Sequence, residues 1–370
     1  MKIAIITLVG HFNYGNRLQN YALQKFISNY AEITETLWYE ENYLPKIKRN
    51  KLDKMYLKNI LKFILNWKGA REKEGIYVEE CIRQYNIKKF SDKYINIKHI
   101  NKIDEKINDI YDYFIVGSDQ IWNPYYIGHF KEKFLQFASF EKRIAYAASF
   151  GITNIPIEKK MFFKKALLNM RKISVRENEG KKIIKDLIDR EVPVLVDPTL
   201  ILKKEEWQKI EMVPEWYNGE KYILTYFIGK PSSIIKDIVK KNNWKIYNLM
   251  DKNNFKLYTS RVEEFVYLID HAELVITDSF HASVFSILMN TPFLVVNRQI
   301  KGEADMTSRI NTLMKLFGYQ DRYIINGKCD LSDKDILNMD FSNVKTIQER
   351  EKKRSKDFLE KALNLKVSDR

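Results

Sequence analysis

Cysteine is nearly absent from this 370-residue chain: there are two, Cys81 and Cys329, far apart and without a Cys-x-x-Cys pair. That excludes a disulfide-framed scaffold and a structural zinc site, and it suits a reducing cytoplasm. No stretch approaches the roughly 20 consecutive apolar residues that a membrane-crossing helix needs. The apolar run at residues 3–9 passes directly into a Gly/Asn turn and reads as a first strand rather than a signal peptide. A Gly-x-Gly-x-x-Gly fingerprint is missing, so dinucleotide binding has no support. The five histidines and two cysteines form no ligand pattern, so neither a metal nor a cofactor is expected. There is no low-complexity linker, internal sequence repeat, zinc-finger, RNP or helix-turn-helix signature, which argues against nucleic acid despite a net charge of +15.

What is present suits a two-domain folded protein. At 45% hydrophobic residues the chain can bury substantial cores, and its length fits two domains of ordinary size. Short apolar runs alternate with helix-periodic segments: strands at 2–9, 36–39, 112–117, 143–148, 172–176 and 193–196, then at 222–228, 245–249, 274–277 and 293–296. Such alternation predicts an α/β fold of parallel sheets with right-handed crossovers. Pro198 and the charged residues 203–206 mark a boundary, giving one α/β domain over 1–198, a second over 199–343, and a C-terminal helix over 344–370. A Lys-rich helical stretch, about 46–90, interrupts the first domain. Between residues 46 and 73 it carries ten Lys/Arg against two acidic residues, with Leu52, Met55, Tyr56, Ile60, Phe63, Ile64 and Trp67 at helical spacing. That face either packs on its own domain or lies on an anionic membrane surface.

Residues 275–287, Val-Ile-Thr-Asp-Ser-Phe-His-Ala-Ser-Val-Phe-Ser-Ile, read as a buried strand, a polar turn and an apolar helix. The turn falls at a strand's carboxyl end, where open α/β sheets bind ligands, and the helix start offers free N–H groups to an anion. The same pattern arises from a plain capped helix, with Asp278 or Ser279 as the cap. Five more segments share this strand-end character. Residues 10–23 read Gly-His-Phe-Asn-Tyr-Gly-Asn-Arg-Leu-Gln-Asn-Tyr-Ala-Leu, and 113–124 read Tyr-Phe-Ile-Val-Gly-Ser-Asp-Gln-Ile-Trp-Asn-Pro. Residues 144–151 read Ile-Ala-Tyr-Ala-Ala-Ser-Phe-Gly, followed by Ile-Ser-Val-Arg-Glu-Asn at 173–178 and Val-Leu-Val-Asp-Pro at 194–198.

In that order, over about residues 1–320, these segments resemble the polysaccharide pyruvyl transferase family. The resemblance implies two facing Rossmann-like domains similar to GT-B-type glycosyltransferases, the first on the acceptor side and the second on the donor side. It implies transfer of pyruvate from phosphoenolpyruvate to a sugar of a bacterial surface polysaccharide or its lipid-linked precursor, as a cyclic ketal with release of phosphate. Related readings are a nucleotide-sugar glycosyltransferase and a non-catalytic glycan- or membrane-binding relative. The implied location is the cytoplasm, with peripheral placement at the inner face of the plasma membrane as a further expectation.

Residue by residue, His281 is the candidate for proton transfer or for a bond to the departing phosphate. Asp119 is a base for the sugar hydroxyl, an acid if its pKa is raised, or a cap of a helix starting at Gln120. Arg176 is a donor-anion ligand or an ion-pair partner of Glu177 or Glu179. Asp278, Ser279 and Phe280 complete the donor turn. Ser279 stands where many family members have Arg, which shifts the cation's task to Arg298 or Arg309. Asn13, Gly15, Asn16 and Arg17 in the first loop, with Gln120, Trp122 and Asn123, are expected at the acceptor. Asn13, Gly15 and Asn16 suit a tight turn, Arg17 an anionic acceptor or the surface, and Trp122 a sugar face.

Overall fold

In a computed structural model, the described residues are 1–39, 78–126, 130–229, 244–298, 308–325, 329 and 331–365. They build two fully parallel sheets. The first has the order β3-β2-β1-β4-β5-β6, with β1 Lys2–Ile6, β2 Ile33–Tyr39, β3 Ile97–Ile100, β4 Tyr113–Val116, β5 Arg143–Ala148 and β6 Lys172–Val175. The second has the order β11-β10-β9-β7-β8, with β7 Tyr222–Tyr226, β8 Lys245–Asn248, β9 Leu274–Thr277, β10 Phe293–Val296 and β11 Tyr323–Ile324. The central strands are buried on both faces, as helices on both sides of a parallel sheet require.

The helices that matter to the cleft are α1 (Tyr14–Ile27), α2 (Val78–Tyr94), α3 (Ile157–Leu168), α4 (Asn178–Ile188), α5 (Val262–Asp270), α6 (Phe280–Met289), α7 (Ser308–Phe317) and α8 (Val344–Ala362). One apolar cluster spans both sheets, joining Ile3, Tyr14 and Leu18 to Phe265, Phe285 and Phe293. Tyr14 shows how: its ring stacks on Phe265 at 4.7 Å and its hydroxyl donates to Ser260 O at 2.8 Å. Arg83 on α2 reaches across too, donating to Tyr258 O at 2.6 Å and Leu249 O at 3.2 Å. Helix α8 returns to the first sheet, where the Tyr146 hydroxyl lies 2.9 Å from Ser355 Oγ and Gln348 donates to Leu200 O and Leu202 O at 2.9 and 2.8 Å.

Several expected elements shift. Helix α1 starts at Tyr14, so Gly15, Asn16 and Arg17 are its first turn rather than a loop; Asn13 caps it, Oδ1 accepting from Gly15 N at 2.8 Å. Residues 193–196 form only a bridge, Val175 to Val194. Edge strands β3 and β11 were not read from the sequence, being short and irregularly patterned. Of the expected Lys-rich stretch 46–90, only 78–90 falls among the described residues, inside α2; the apolar positions 52–67 lie outside them.

Candidate functional site

The carboxyl ends of the two sheets face one another, and the strand-end residues of both halves meet there. From the first sheet come Asp119 after β4, Arg176 after β6 and Asp197 just beyond the Val194 bridge. From the second come Phe280 and His281 in the first turn of α6, and Arg309 in the first turn of α7.

Asp197 is the hub. It is 1% exposed, and Arg176 Nη1 donates directly to Oδ2. Ser118 Oγ lies 3.2 Å from Oδ2, while Thr199 supplies its N–H at 3.0 Å and its hydroxyl at 2.7 Å to Oδ1. His281 Nε2 stands 3.6 Å from Oδ2, an ion-pair distance rather than a hydrogen bond, and has no hydrogen-bond partner among the described residues. Burial pushes the Asp197 carboxyl up, but His281, Arg176 and Thr199 outweigh it and hold the group far below the ordinary carboxylate value.

Asp119 sits on a left-handed backbone, φ 46°, which turns its carboxylate into the cleft. It accepts from Asn16 Nδ2 at 3.2 Å and Arg176 Nη2 at 3.3 Å, with Arg309 Nη1 at 3.8 Å. Burial raises it, yet Arg176, His281 and Arg309 together bring it below its usual value. No helix begins at Gln120, so Asp119 is not a cap. The preceding Gly117 is required: at φ 141° a Cβ would lie 2.0 Å from Tyr146 O.

Arg176 pairs with Asp197 and Asp119, not with Glu177 or Glu179. Glu177 instead accepts from Phe150 N and Gly151 N at 2.8 and 3.1 Å, fixing the loop after β5. The Arg176 guanidinium lies 4.4 Å from the Phe280 ring centroid and that of Arg309 lies 5.7 Å from it, so one aromatic ring carries two cations. Burial and Arg176 lower Arg309 to about 10, still protonated at neutral pH. A cavity of about 330 Å³ opens beside this pair, lined by Arg176, Asp197, Phe280, Arg309, Lys315 and Arg354 among others.

The remaining candidates separate clearly. Gly15 lies against His281: a Cβ there would stand 2.1 Å from His281 Cγ and Nδ1. Ser279 is the α6 cap, accepting from Ala282 N at 3.5 Å. Asp278 and Arg298 line a second, small cavity together with Phe280 and Arg309. Asp278 accepts from Ile228 N and Gly229 N at 2.7 and 2.6 Å, and Arg298 Nε donates to it at 3.0 Å, so they brace the β7 and β9 loops. Trp122 corrects the expectation of a sugar platform. It is 0% exposed, stacks on Phe134 at 5.0 Å and donates to Lys133 O at 2.9 Å, because the apolar core beneath β4 claims the ring. Asn123 is also buried, Oδ1 accepting from Tyr125 N at 2.9 Å to shape the loop, while the Gln120 amide contacts Asn123, Tyr126 and Arg309. Arg17 is neither at the surface nor open to a ligand: it is fully buried, bonded to Asn16 Oδ1 at 2.8 Å and to Leu8 O, with its guanidinium 5.1 Å from the Trp38 centroid.

Asp197 was missed as a site residue, although it ends a strand-like segment just as Asp119 and Arg176 do. Among the described residues one group has metal-ligand spacing, Glu211, Asp270 and His271; it lies near the amino end of β9, away from the cleft, and Lys204 Nζ already lies 2.7 Å from Asp270 Oδ1. No helix among the described residues is long and apolar enough to cross a membrane.

Two parallel α/β halves present cations, an imidazole and carboxylates at their facing edges. The chain matches the polysaccharide pyruvyl transferase family over residues 13–299, well over half its length, and belongs to that family. It is thus placed among transferases of polysaccharide biosynthesis. No curated protein matches the sequence. Among solved structures it is similar to MurG of Acinetobacter baumannii, with 8% identity and TM-score 0.42, covering 99% of this chain and 100% of that one. It is similar also to UDP-N-acetylglucosamine 2-epimerase of Rickettsia bellii, with 10% identity and TM-score 0.45, covering 98% and 97%.

Proposed function

We propose that the protein transfers pyruvate from phosphoenolpyruvate to two hydroxyls of a sugar in a bacterial surface polysaccharide or its lipid-linked precursor, forming a cyclic ketal. The observation that carries this reading is the convergence of Arg176, Arg309 and His281 around Phe280 and Asp197. Phosphoenolpyruvate carries a carboxylate and a phosphate, and two guanidinium groups held on one ring suit two adjacent anions. Arg309 takes the place of the Arg that Ser279 lacks.

In this mechanism a proton reaches the donor's methylene carbon, making it a methyl group and leaving an oxocarbenium-like centre at C2. One sugar oxygen bonds to C2, the C2–O bond to phosphate breaks, and a second sugar oxygen closes the ring. The two hydroxyls release two protons: one balances the new methyl group and the other leaves with phosphate. His281 handles the proton at the donor, and Asp197 together with Gly15 fixes its ring. Asp119 accepts a hydrogen bond from the attacking hydroxyl and orients it. Asn16 and Gln120 lie on the acceptor side of Asp119.

The test is calorimetric titration of phosphoenolpyruvate into wild type, Arg176→Ala and His281→Ala, with phosphate and nucleotide sugars as controls. Saturable binding stronger than that of phosphate, and lost in Arg176→Ala, supports the donor. Preference for a nucleotide sugar replaces this reading with glycosyl transfer, and no binding of either replaces it with a non-catalytic role.

A further inference from the structure

Helix α3, Ile157–Leu168, has the sequence IEKKMFFKKALL and two apolar faces. Phe163, Ala166 and Leu167 are buried toward the sheet. On the opposite side stand Ile157, Met161 and Leu168, spaced by four and seven residues, which a period of 3.6 brings onto one stripe. They are 83%, 63% and 54% exposed. Scattered exposed apolar residues are normal; three large ones on one outward helix face are not. Lys160, Lys164 and Lys165 are exposed beside the stripe, and the helix carries four Lys against one Glu.

The surface continues to the cleft. Lys159 donates to Pro124 O and its Nζ lies 5.8 Å from the Tyr125 ring centroid. Tyr125 is 55% exposed, and the hydroxyl of its neighbour Tyr126 lies 2.6 Å from the side chain of Gln120, next to Asp119.

We propose that this face of α3, with Tyr125 at its end, rests on the surface of an anionic phospholipid bilayer. The apolar stripe enters the boundary between headgroups and acyl chains, and the lysines meet the lipid phosphates, the division of labour that interfacial helices use. Charge selects this occupant over a second copy of the chain. A two-fold pairing would set the lysines of one α3 against those of the other, in a chain of net charge +15. The orientation brings the Gln120 side of the cleft toward the membrane, where an acceptor carried on a lipid would be found. That last step rests on the pyruvyl-transfer reading; the membrane contact does not.

The experiment is flotation of the full chain with vesicles of phosphatidylcholine alone and of phosphatidylcholine mixed with phosphatidylglycerol. Wild type floats with the anionic vesicles, not the neutral ones, and less as salt rises. Ile157→Glu combined with Met161→Glu, and separately Lys160→Glu combined with Lys164→Glu, each lower the bound fraction about tenfold while thermal unfolding stays unchanged. Wild type that does not float, or variants that float as wild type does, overturn the proposal. Light scattering that shows a dimer broken by Met161→Glu overturns it too, assigning the face to a second copy. Calorimetry on the wild type separates the two ideas: absence of phosphoenolpyruvate binding with flotation intact defeats only the catalytic reading.

Discussion

Gly15 and His281, 266 positions apart in the sequence, are in direct contact across the two halves: a methyl group on Gly15 would overlap the imidazole, with 2.1 Å to both Cγ and Nδ1. The helix start that carries the first motif is the wall that positions the histidine of the last. Gly15→Ala therefore displaces the ring, and turnover falls by about 10²-fold, the scale for a misplacement near 1 Å. Phosphate release with phosphoenolpyruvate and an acceptor measures it; a variant with wild-type turnover would show that His281 is not the proton-handling group.

Arg309→Ala raises the KM for the donor about tenfold or more, and Arg309→Lys recovers only part of this, since an ammonium cannot grip two anion oxygens as a guanidinium fork does. Steady-state kinetics at varied phosphoenolpyruvate decides the matter. If KM is unchanged and only stability drops, Arg309 merely braces Gln120 and Asp119.

Asp197→Asn leaves Arg176 buried with one carboxylate fewer and costs about 3–5 kcal/mol of folding stability. The sign with pH follows from the depressed native pKa, which lies well below the ordinary 3.8. Between those two values the unfolded chain binds the extra proton, so the carboxylate's contribution is fully present above about pH 4 and is lost as pH falls further. Urea midpoints of wild type and Asp197→Asn converge on acidification below that point. A gap that widens instead refutes the assignment of Asp197 as the ionised hub.

Trp122→Ala destabilises by about 3–5 kcal/mol, the range for removing a large buried aromatic. Its signature is a lowered denaturation midpoint with donor binding retained in the folded fraction. A stable variant with only acceptor KM raised would return Trp122 to sugar recognition.

Much of the fold was legible because its signals are local. Strands β5, β9 and β10 fall at the residues the apolar runs indicate, and the alternation with helices leaves parallel sheets as the solution. What was not legible is short or peripheral: β3, with burial pattern ieei, carries no alternation to read, and β11 has only two residues. At the site, Asp119, Arg176 and His281 announce themselves as polar residues at the ends of buried strands. Arg309 and Asp197 do so only weakly, since nothing local distinguishes a helix-borne Arg or a pre-proline Asp from a surface one.

The sequence by itself determined the strand-helix order, the family and the polar residues at strand ends, because each rests on neighbours within a few positions. Only the tertiary structure decided which of those residues meet. Trp122 went to the core because Phe134 and Phe150 lie against it, Arg17 was enclosed beneath Trp38, and Asp278 was consumed by Arg298 and the backbone of β7's exit. Arg176, Asp197 and His281, from three separate segments, became one cluster. Burial and pairing depend on what the chain brings from far away, and a side chain's neighbours across the cleft, not its own motif, set its charge and its task.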